Sequence, residues 1–359
     1  MKLEITICIT CVGGRLMYDI ISAIRDADDY DIKIIGIDSD KTAAGRLLCD
    51  SFYVVPHAEK NASGWLEKIF YIHKKHKMNG LIAFSEGESR LVGKNRKLFK
   101  SHNIKTSINS NKIVKILTDK YLMLNYLKSH NLDVGKFNLV NSSDHFLEIA
   151  KKLGYPKKKV VFKPRYGRGS RGVLIADKKQ KLFESLVPER FCGIASVDVL
   201  EEICKKNNIS IKDYIAMPFY KGKVWDVDVL SKGGEVVNIA ARIRQLRNPL
   251  WPTSTGHKVS YDTEVIKYVS KIIKVFKING PSDYDIVLDD NGKPKVLDAA
   301  ARYSGSVGVS YIAGVNMMSQ LIRVMFNMPI KKYKLEDGMV LRPYITMAQI
   351  LDKNENDYL

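Results

Sequence analysis

The 359-residue chain is poor in cysteine, in long apolar runs and, relative to its bases, in acids. Its five cysteines are Cys8, Cys11, Cys49, Cys192 and Cys204, an odd number placed mostly in apolar or helical settings. That argues against a disulfide framework and fits a reducing cytoplasm. Cys8 and Cys11 have CxxC spacing, but no second CxxC or histidine pair accompanies them, so a buried strand is the better reading. No apolar run approaches the ~20 residues of a membrane helix, and no membrane insertion is expected. The longest near the start, Ile5 to Val12, is broken by threonines and followed by Gly13-Gly14-Arg15. Lacking a basic leader and a small-residue cleavage site, it reads as a strand and not as a signal peptide. Internal repeats are absent. Aromatic and basic residues are not interleaved as in single-strand nucleic-acid binders.

Asp and Glu number 39 against 58 Lys and Arg, a net charge of +19. Such an excess can serve nucleic acid, yet the lysines are spread over the whole chain, as on solvated faces. One segment differs. Lys151 to Arg171 holds nine Lys/Arg and no acid, and it runs into a glycine-rich stretch. A small anionic ligand there explains part of the excess, and nucleic acid is not expected as a partner.

The length suffices for two or three domains with buried cores. Residues 1–110 alternate strand and helix: Ile5–Cys11, Lys33–Ile37, Phe52–Val55 and Gly80–Phe84 as strands, with helices at Leu16–Ala27, Trp65–His76 and through Leu98. That alternation implies a doubly wound parallel sheet. The turn Gly13-Gly14-Arg15 after the first strand hints at a ligand on the sheet's carboxyl edge. Helices at Lys112–Leu117 and Tyr121–His130 lead to strands Lys159–Phe162 and Val173–Ala176. Helices are expected around Lys178–Leu186 and Val197–Lys206, then strands Tyr214–Met217, Trp225–Leu230 and Val236–Arg244. Residues 245–260 read as a loop, Glu264–Phe276 and Met317–Phe326 as helices, and 352–359 as a frayed tail.

Two stretches carry chemistry. In Val160-Val161-Phe162-Lys163-Pro164-Arg165-Tyr166-Gly167-Arg168-Gly169-Ser170-Arg171-Gly172-Val173, a lysine-tipped strand enters a glycine hairpin whose N–H groups and basic side chains suit a polyphosphate. In Asp283-Tyr284-Asp285-Ile286-Val287-Leu288, followed by Lys295-Val296-Leu297-Asp298, paired strands each bring an aspartate toward one ligand. A phosphate cradle with paired carboxylates points to a nucleotide and a divalent metal. A lysine within an apolar strand is costly without an anionic partner. Asp285, between apolar residues, is equally in need of metal or lysine.

With Met217-Pro218-Phe219-Tyr220-Lys221-Gly222, Trp225-Asp226-Val227-Asp228-Val229, Asp298-Ala299-Ala300-Ala301-Arg302 and Ala313-Gly314-Val315-Asn316 in order, nearly the whole chain resembles the ATP-grasp superfamily. In particular it resembles proteins similar to the carbamoyl-phosphate synthase large subunit. The resemblance implies an α/β and α+β architecture, an N-terminal doubly wound parallel-sheet domain followed by a two-lobed ATP-grasp fold. Its parts would be a pre-ATP-grasp domain at 1–110, linker helices at 111–156, a small glycine-loop subdomain at 157–222, a large subdomain with the metal site at 223–345, and a tail at 346–359.

The same resemblance implies roles. Lys120 and Lys163 would hold ATP phosphates, and the loop bearing Gly169, Ser170, Arg171 and Gly172 would close over them. The hinge Met217, Pro218 and Phe219 would read adenine. Asp285 and Asp298 would ligate Mg²⁺ (or Mn²⁺), and Arg302 would neutralise the transferred γ-phosphate. Where the family shows Glu-x-Asn-Pro-Arg, this chain has Ala300 at the asparagine. The usual hinge glutamate is replaced by Pro218 or Val224.

Arg242 and Arg244, two apart on one strand face, are either a solvated edge or a clamp for an anionic acceptor. Gly14 and Arg15 are placed at the same acceptor, and Glu86 resembles an acidic position at that sheet edge. His257 reads as a loop residue. The implied activity is ATP- and Mg²⁺-dependent carboxylate–amine ligation through an acyl phosphate, with ATP, a small acid and an amine as partners and a homodimer as the common assembly. The alternative is a nucleotide-binding protein whose chemistry has decayed.

Overall fold

The computed structural model describes residues 2–350, apart from 143–144, 168–170, 181, 188–189, 208, 246–255, 334 and 344–349. Five parallel strands open the chain: β1 (Leu3–Thr10), β2 (Tyr30–Asp38), β3 (Ser51–Val54), β4 (Gly80–Ile82) and β5 (Lys105–Thr106), in the order β3-β2-β1-β4-β5. Helices α1 (Met17–Arg25), α2 (Ala62–His76), α3 (Glu86–Lys94) and α4 (Arg96–Ser101) connect them. Their starts are locally encoded. Asn61 accepts from Gly64 N at the head of α2, and Ser85 with Glu88 forms a reciprocal capping box on α3, satisfying amides that the first helical turn leaves unpaired.

After α5 (Asn111–Leu117) and α6 (Lys120–Ser129) comes a six-stranded sheet. It holds β6 (Asn138–Val140), β7 (Val160–Pro164), β8 (Leu174–Ala176), β9 (Phe183–Val187), β10 (Arg190–Ala195) and β11 (Tyr214–Pro218), in the order β6-β11-β7-β8-β10-β9. Helices α7 (Phe146–Lys152) and α8 (Val197–Lys206) cover it over a core of its own, with Phe146, Phe162, Leu174 and Leu200 fully buried. The helix expected around Lys178–Leu186 is corrected: Phe183–Val187 is a strand, antiparallel to β10. So short a segment, with Glu184 and Ser185 between its apolar residues, is ambiguous by period, and pairing with a neighbouring strand settles it.

The third sheet is antiparallel, in the order β16-β15-β12-β13-β14-β17. Its strands are β12 (Val224–Lys232), β13 (Glu235–Arg244), β14 (His257–Val259), β15 (Gly280–Leu288), β16 (Pro294–Ala300) and β17 (Val340–Leu341). The expected loop at 245–260 therefore contains a strand, while its residues 246–255 and the tail 352–359 lie outside the described residues. Helix α9 (Thr263–Phe276), capped by Asp262, buries Val265, Val269, Ile272, Ile273 and Phe276 along one stripe. Each such side chain contributes on the order of 1.5–3 kcal/mol. The stripe joins Trp225, Val227, Val229, Tyr284 and Ile286 in one core.

Strand alternation then dictates the opposite face. Asp226, Asp228, Asp283 and Asp285 must all point away from that core. Helices α10 (Val309–Ile312) and α11 (Met317–Phe326) close the fold. Tyr303, Met317 and Leu321 share a core with Ile7, Ile9 and Ile20. Asn316 donates to the Ala23 carbonyl at 2.6 Å, and Arg323 donates to Asp29 at 2.5 Å. These ties lock the parallel sheet's carboxyl edge beside the aspartate face. No helix among the described residues is long and apolar enough to cross a membrane.

Candidate nucleotide and metal site

A cavity of about 1330 Å³ lies where the three sheets meet. The lobe of the second sheet supplies Lys163, Arg171 and the hinge Met217, Pro218 and Phe219; the head of α6 supplies Lys120; the third sheet and the turn after it supply Asp285, Asp298, Arg244 and Arg302; and the first supplies Gly14, Arg15 and Glu86. Gly169 and Ser170 lie outside the described residues. Gly172 is not on the wall, but with Gly167 it frames the loop, at φ of 77° and 128°, which side-chain-bearing residues rarely adopt.

The lysines meet the aspartates directly. Lys163, at the end of β7, donates Nζ to the carbonyl of Leu297, the residue before Asp298. Lys120 Nζ donates to Gly167 O at 2.7 Å and stands 3.2 Å from Asp298 Oδ2. Lys120 opens α6 because Asp119 caps it, accepting from Tyr121 N and Leu122 N. Asp119 also takes both ends of Arg165, at 2.8 and 2.7 Å, and the Tyr166 hydroxyl at 3.0 Å. Burial would raise the Asp119 carboxyl, but Arg165, the cap amides and Tyr166 hold it below the usual range. One carboxylate thus anchors both the helix start and the root of the glycine loop.

Lys163 is only 8% exposed. Burial, with repulsion from Lys120, outweighs attraction to Asp298 and Asp285 and brings its ammonium from 10.5 down to about 8. A charged lysine so placed awaits an anion.

On the third sheet Asp285 stands directly opposite Asp298 on β16 and Asp226 on β12. Arg244 donates to Asp226 Oδ1 at 3.2 Å and to Asp285 Oδ1 at 2.5 Å. Burial, together with Asp226 and Asp298, raises the Asp285 carboxyl to about 6 despite Arg244. Burial acts likewise on Asp226, but Arg244 and Arg242 prevail and keep it ionised. Arg302 donates to the Tyr303 carbonyl at 2.7 Å, and its Nε is enclosed without a partner.

Arg242 is placed differently from the expectation. It is fully buried and does not line the cavity. It donates to Asp228 at 2.6 Å and to Ser304 and Ser306 at 3.3 Å, with Ser310 as a further partner. Its strand packs under the turn after β16, so it braces that turn and cannot meet an acceptor. His257 is also corrected, from loop to strand β14: it is 6% exposed on the cavity wall, and burial with Arg242 lowers its imidazole to about 4.

Sequence reasoning left out Asp283 and the clamp made by Ser304 and Ser306, which accept from or donate to Asp228, Asp226 and Arg242. The D-x-D spacing in β12 and β15 was the available signal. It shows that each pair shares a face without saying which one.

Divalent-cation fit is testable on these residues. Asp226, Asp283 and Asp285 each bring an oxygen within 4.8 Å of the others. Asp283 Oδ1 is enclosed with no hydrogen-bond partner. Three carboxylates converging on one point, one of them with an unmatched oxygen, form the all-oxygen donor set that suits Mg²⁺ or Mn²⁺. The donor set fits.

A doubly wound parallel domain followed by two lobes that close lysines onto paired aspartates defines the ATP-grasp fold. Residues 210–346 match the family described as ATP-grasp in the biosynthetic pathway with Ter operon, and residues 7–107 match the PylC-like N-terminal domain. The carbamoyl phosphate synthase large chain of Thermotoga petrophila is 26% identical over 253 residues, 67% of this chain and 21% of its own length. The chain thus spans about a fifth of the curated relatives it matches. Among solved structures, the L-amino acid ligase of Bacillus licheniformis aligns at a TM-score of 0.64 and 16% identity, covering 90% of this chain and 75% of the ligase. The biotin carboxylase domain of Hydrogenobacter thermophilus 2-oxoglutarate carboxylase, solved with MgADP and bicarbonate, gives 0.66 and 14%, covering 94% and 72%. Residues 210–346 thus carry the match to an ATP-grasp family, and the fold of the chain is that of the ATP-grasp ligases among its structural neighbours.

Proposed function

We propose that this chain is an ATP- and Mg²⁺-dependent ligase that joins a small carboxylate to an amine through an acyl phosphate. One observation carries the reading: Lys163 at the end of β7 and Lys120 at the head of α6 reach Leu297 and Asp298 on β16 inside a single cavity. Likeness to an L-amino acid ligase and to a biotin carboxylase domain bound to MgADP supports the reaction class.

In this reading the protein's contribution is positioning and charge. The backbone of the hinge Met217, Pro218 and Phe219, on the cavity wall, takes the adenine edge. Lys120 and Lys163 hold the α- and β-phosphates, and the phosphate charge restores the proton that burial loosens on Lys163. Asp285 and Asp298 would hold Mg²⁺, which when bound offsets phosphate charge and orients the γ-phosphoryl group. Arg302 stabilises that group in transfer to the acceptor carboxylate. The glycine loop closes the small lobe over it and excludes water.

The acceptor belongs at the wall formed by Gly14 and Arg15. Arg244 is held by Asp226 and Asp285, so its part there is to organise carboxylates. Arg15, on that wall, is the cation assigned to the acid.

The test is ADP release with a panel of amino and hydroxy acids paired with amines, in wild type and Asp298→Ala. Mg²⁺-dependent ADP release with some pair, lost about a hundredfold or more in the variant, is expected. Nucleotide binding without turnover on any pair would favour the decayed reading.

A further inference from the structure

On the cavity face of the third sheet, Ala300 offers no ligand atom, while its neighbour carries a carboxylate. The cross-strand partner of Ala300 is Asp283 on β15. Residues directly opposite share a face, and so do residues two apart on one strand. Asp283 therefore lies on the side of Asp285 and Ala300, in the room that a longer residue at 300 would occupy. Its oxygen comes within 4.8 Å of oxygens on Asp285 and Asp226.

The cations on this face are nearly all committed elsewhere. Arg242 serves Asp228 at 2.6 Å, Arg244 serves Asp226 and Asp285, and Lys120 serves Asp298 at 3.2 Å. Asp283 has Arg302 at 3.7 Å from Oδ2, while Oδ1 is enclosed and without a hydrogen-bond partner. His257 on the same face is 6% exposed, and its Nδ1 also lacks a partner. A carboxylate among other carboxylates, with one oxygen unmatched, is costly. It is explained if its counter-ion arrives with the ligand.

We infer that Asp283 is a ligand of the divalent cation, supplying from β15 the oxygen that Ala300 cannot supply from β16. This rests on the reading that the cleft binds nucleotide and cation. A carboxylate here keeps the donor set all-oxygen, as Mg²⁺ and Mn²⁺ require.

The experiment is Mn²⁺ titration of the full chain with ADP, read from the free-Mn²⁺ electron paramagnetic resonance signal. The chains are wild type, Asp283→Ala, Asp283→Asn, Asp298→Ala and the double variant Asp283→Ala with Ala300→Asn. Asp283→Ala is expected to weaken Mn²⁺ about tenfold or more, Asp283→Asn less so, and the double variant to recover most of the loss. Metal-free urea unfolding should find Asp283→Ala and Asp283→Asn no less stable than wild type, since each relieves a buried, under-compensated carboxyl group. Mn²⁺ affinity within about twofold of wild type in Asp283→Ala, with Asp298→Ala impaired, overturns the assignment of Asp283 alone. Absent Mn²⁺ binding in wild type overturns the nucleotide–cation reading and this inference with it, whereas an inert Asp298→Ala with Asp283→Ala impaired overturns only the assignment of Asp298.

Discussion

Replacing Lys163 by methionine should make the empty protein more stable and the nucleotide complex weaker. The ammonium is 8% exposed, and burial brings its value from 10.5 to about 8. That drop corresponds to about 3 kcal/mol of penalty on the charged form at neutral pH. Methionine, similar in length and apolar, removes the penalty but also the hydrogen bond to Leu297 O, worth about 1 kcal/mol. The net expectation is a gain of about 2 kcal/mol in nucleotide-free urea unfolding, followed by tryptophan fluorescence.

The pH dependence has a definite sign. The folded value lies below the unfolded one, so the unfolded chain binds the extra proton between about pH 8 and 10.5. Wild-type stability therefore climbs relative to the variant across that window, and the variant's advantage is complete only below pH 8. By calorimetry, ADP should bind the variant about tenfold or more weakly, through loss of a charge-assisted contact. A variant less stable than wild type at pH 7, or one with unchanged ADP affinity, refutes the argument that Lys163 is held charged for a phosphate.

Asp119→Ala removes a cap and both bonds to Arg165, so a loss of about 3 kcal/mol or more is expected in urea unfolding. Because its folded value lies below 3.8, the Asp119 contribution is complete above that pH and fades only below it, which acid titration of wild type against the variant will read. Arg242→Ala strands Asp228 at a fully buried position and should cost about 3–5 kcal/mol. A purely acceptor-binding Arg242 would instead raise KM with stability intact.

Much of the architecture was legible because it is encoded over short distances. The strand at β1, the Gly13-Gly14 turn and the stripe of α9 follow from periods of 2 and 3.6 and from caps within a few residues. Phe183–Val187 is a strand where a helix is expected, because five residues of mixed polarity carry too little period and the pairing with β10 is a tertiary event. Residue identity likewise offered Lys163, Asp285 and Asp298 as the charged groups of a site.

Which charge answers which was not legible. Asp226 and Asp228 share a face whatever the fold, but only the packing of α9 under Trp225 and Val227 turns that face to the cavity. Arg242 and Arg244 are equivalent as a sequence pattern. In space one is fully enclosed by Asp228, Ser304 and Ser310, up to 68 residues away, and the other stands on the cavity wall between Asp226 and Asp285. Asp283 gains its meaning only from lying across from Ala300. Local order depends on neighbours in the chain, whereas electrostatic pairing depends on separation through space and on the water excluded between the groups. Only the folded sheet sets those two quantities.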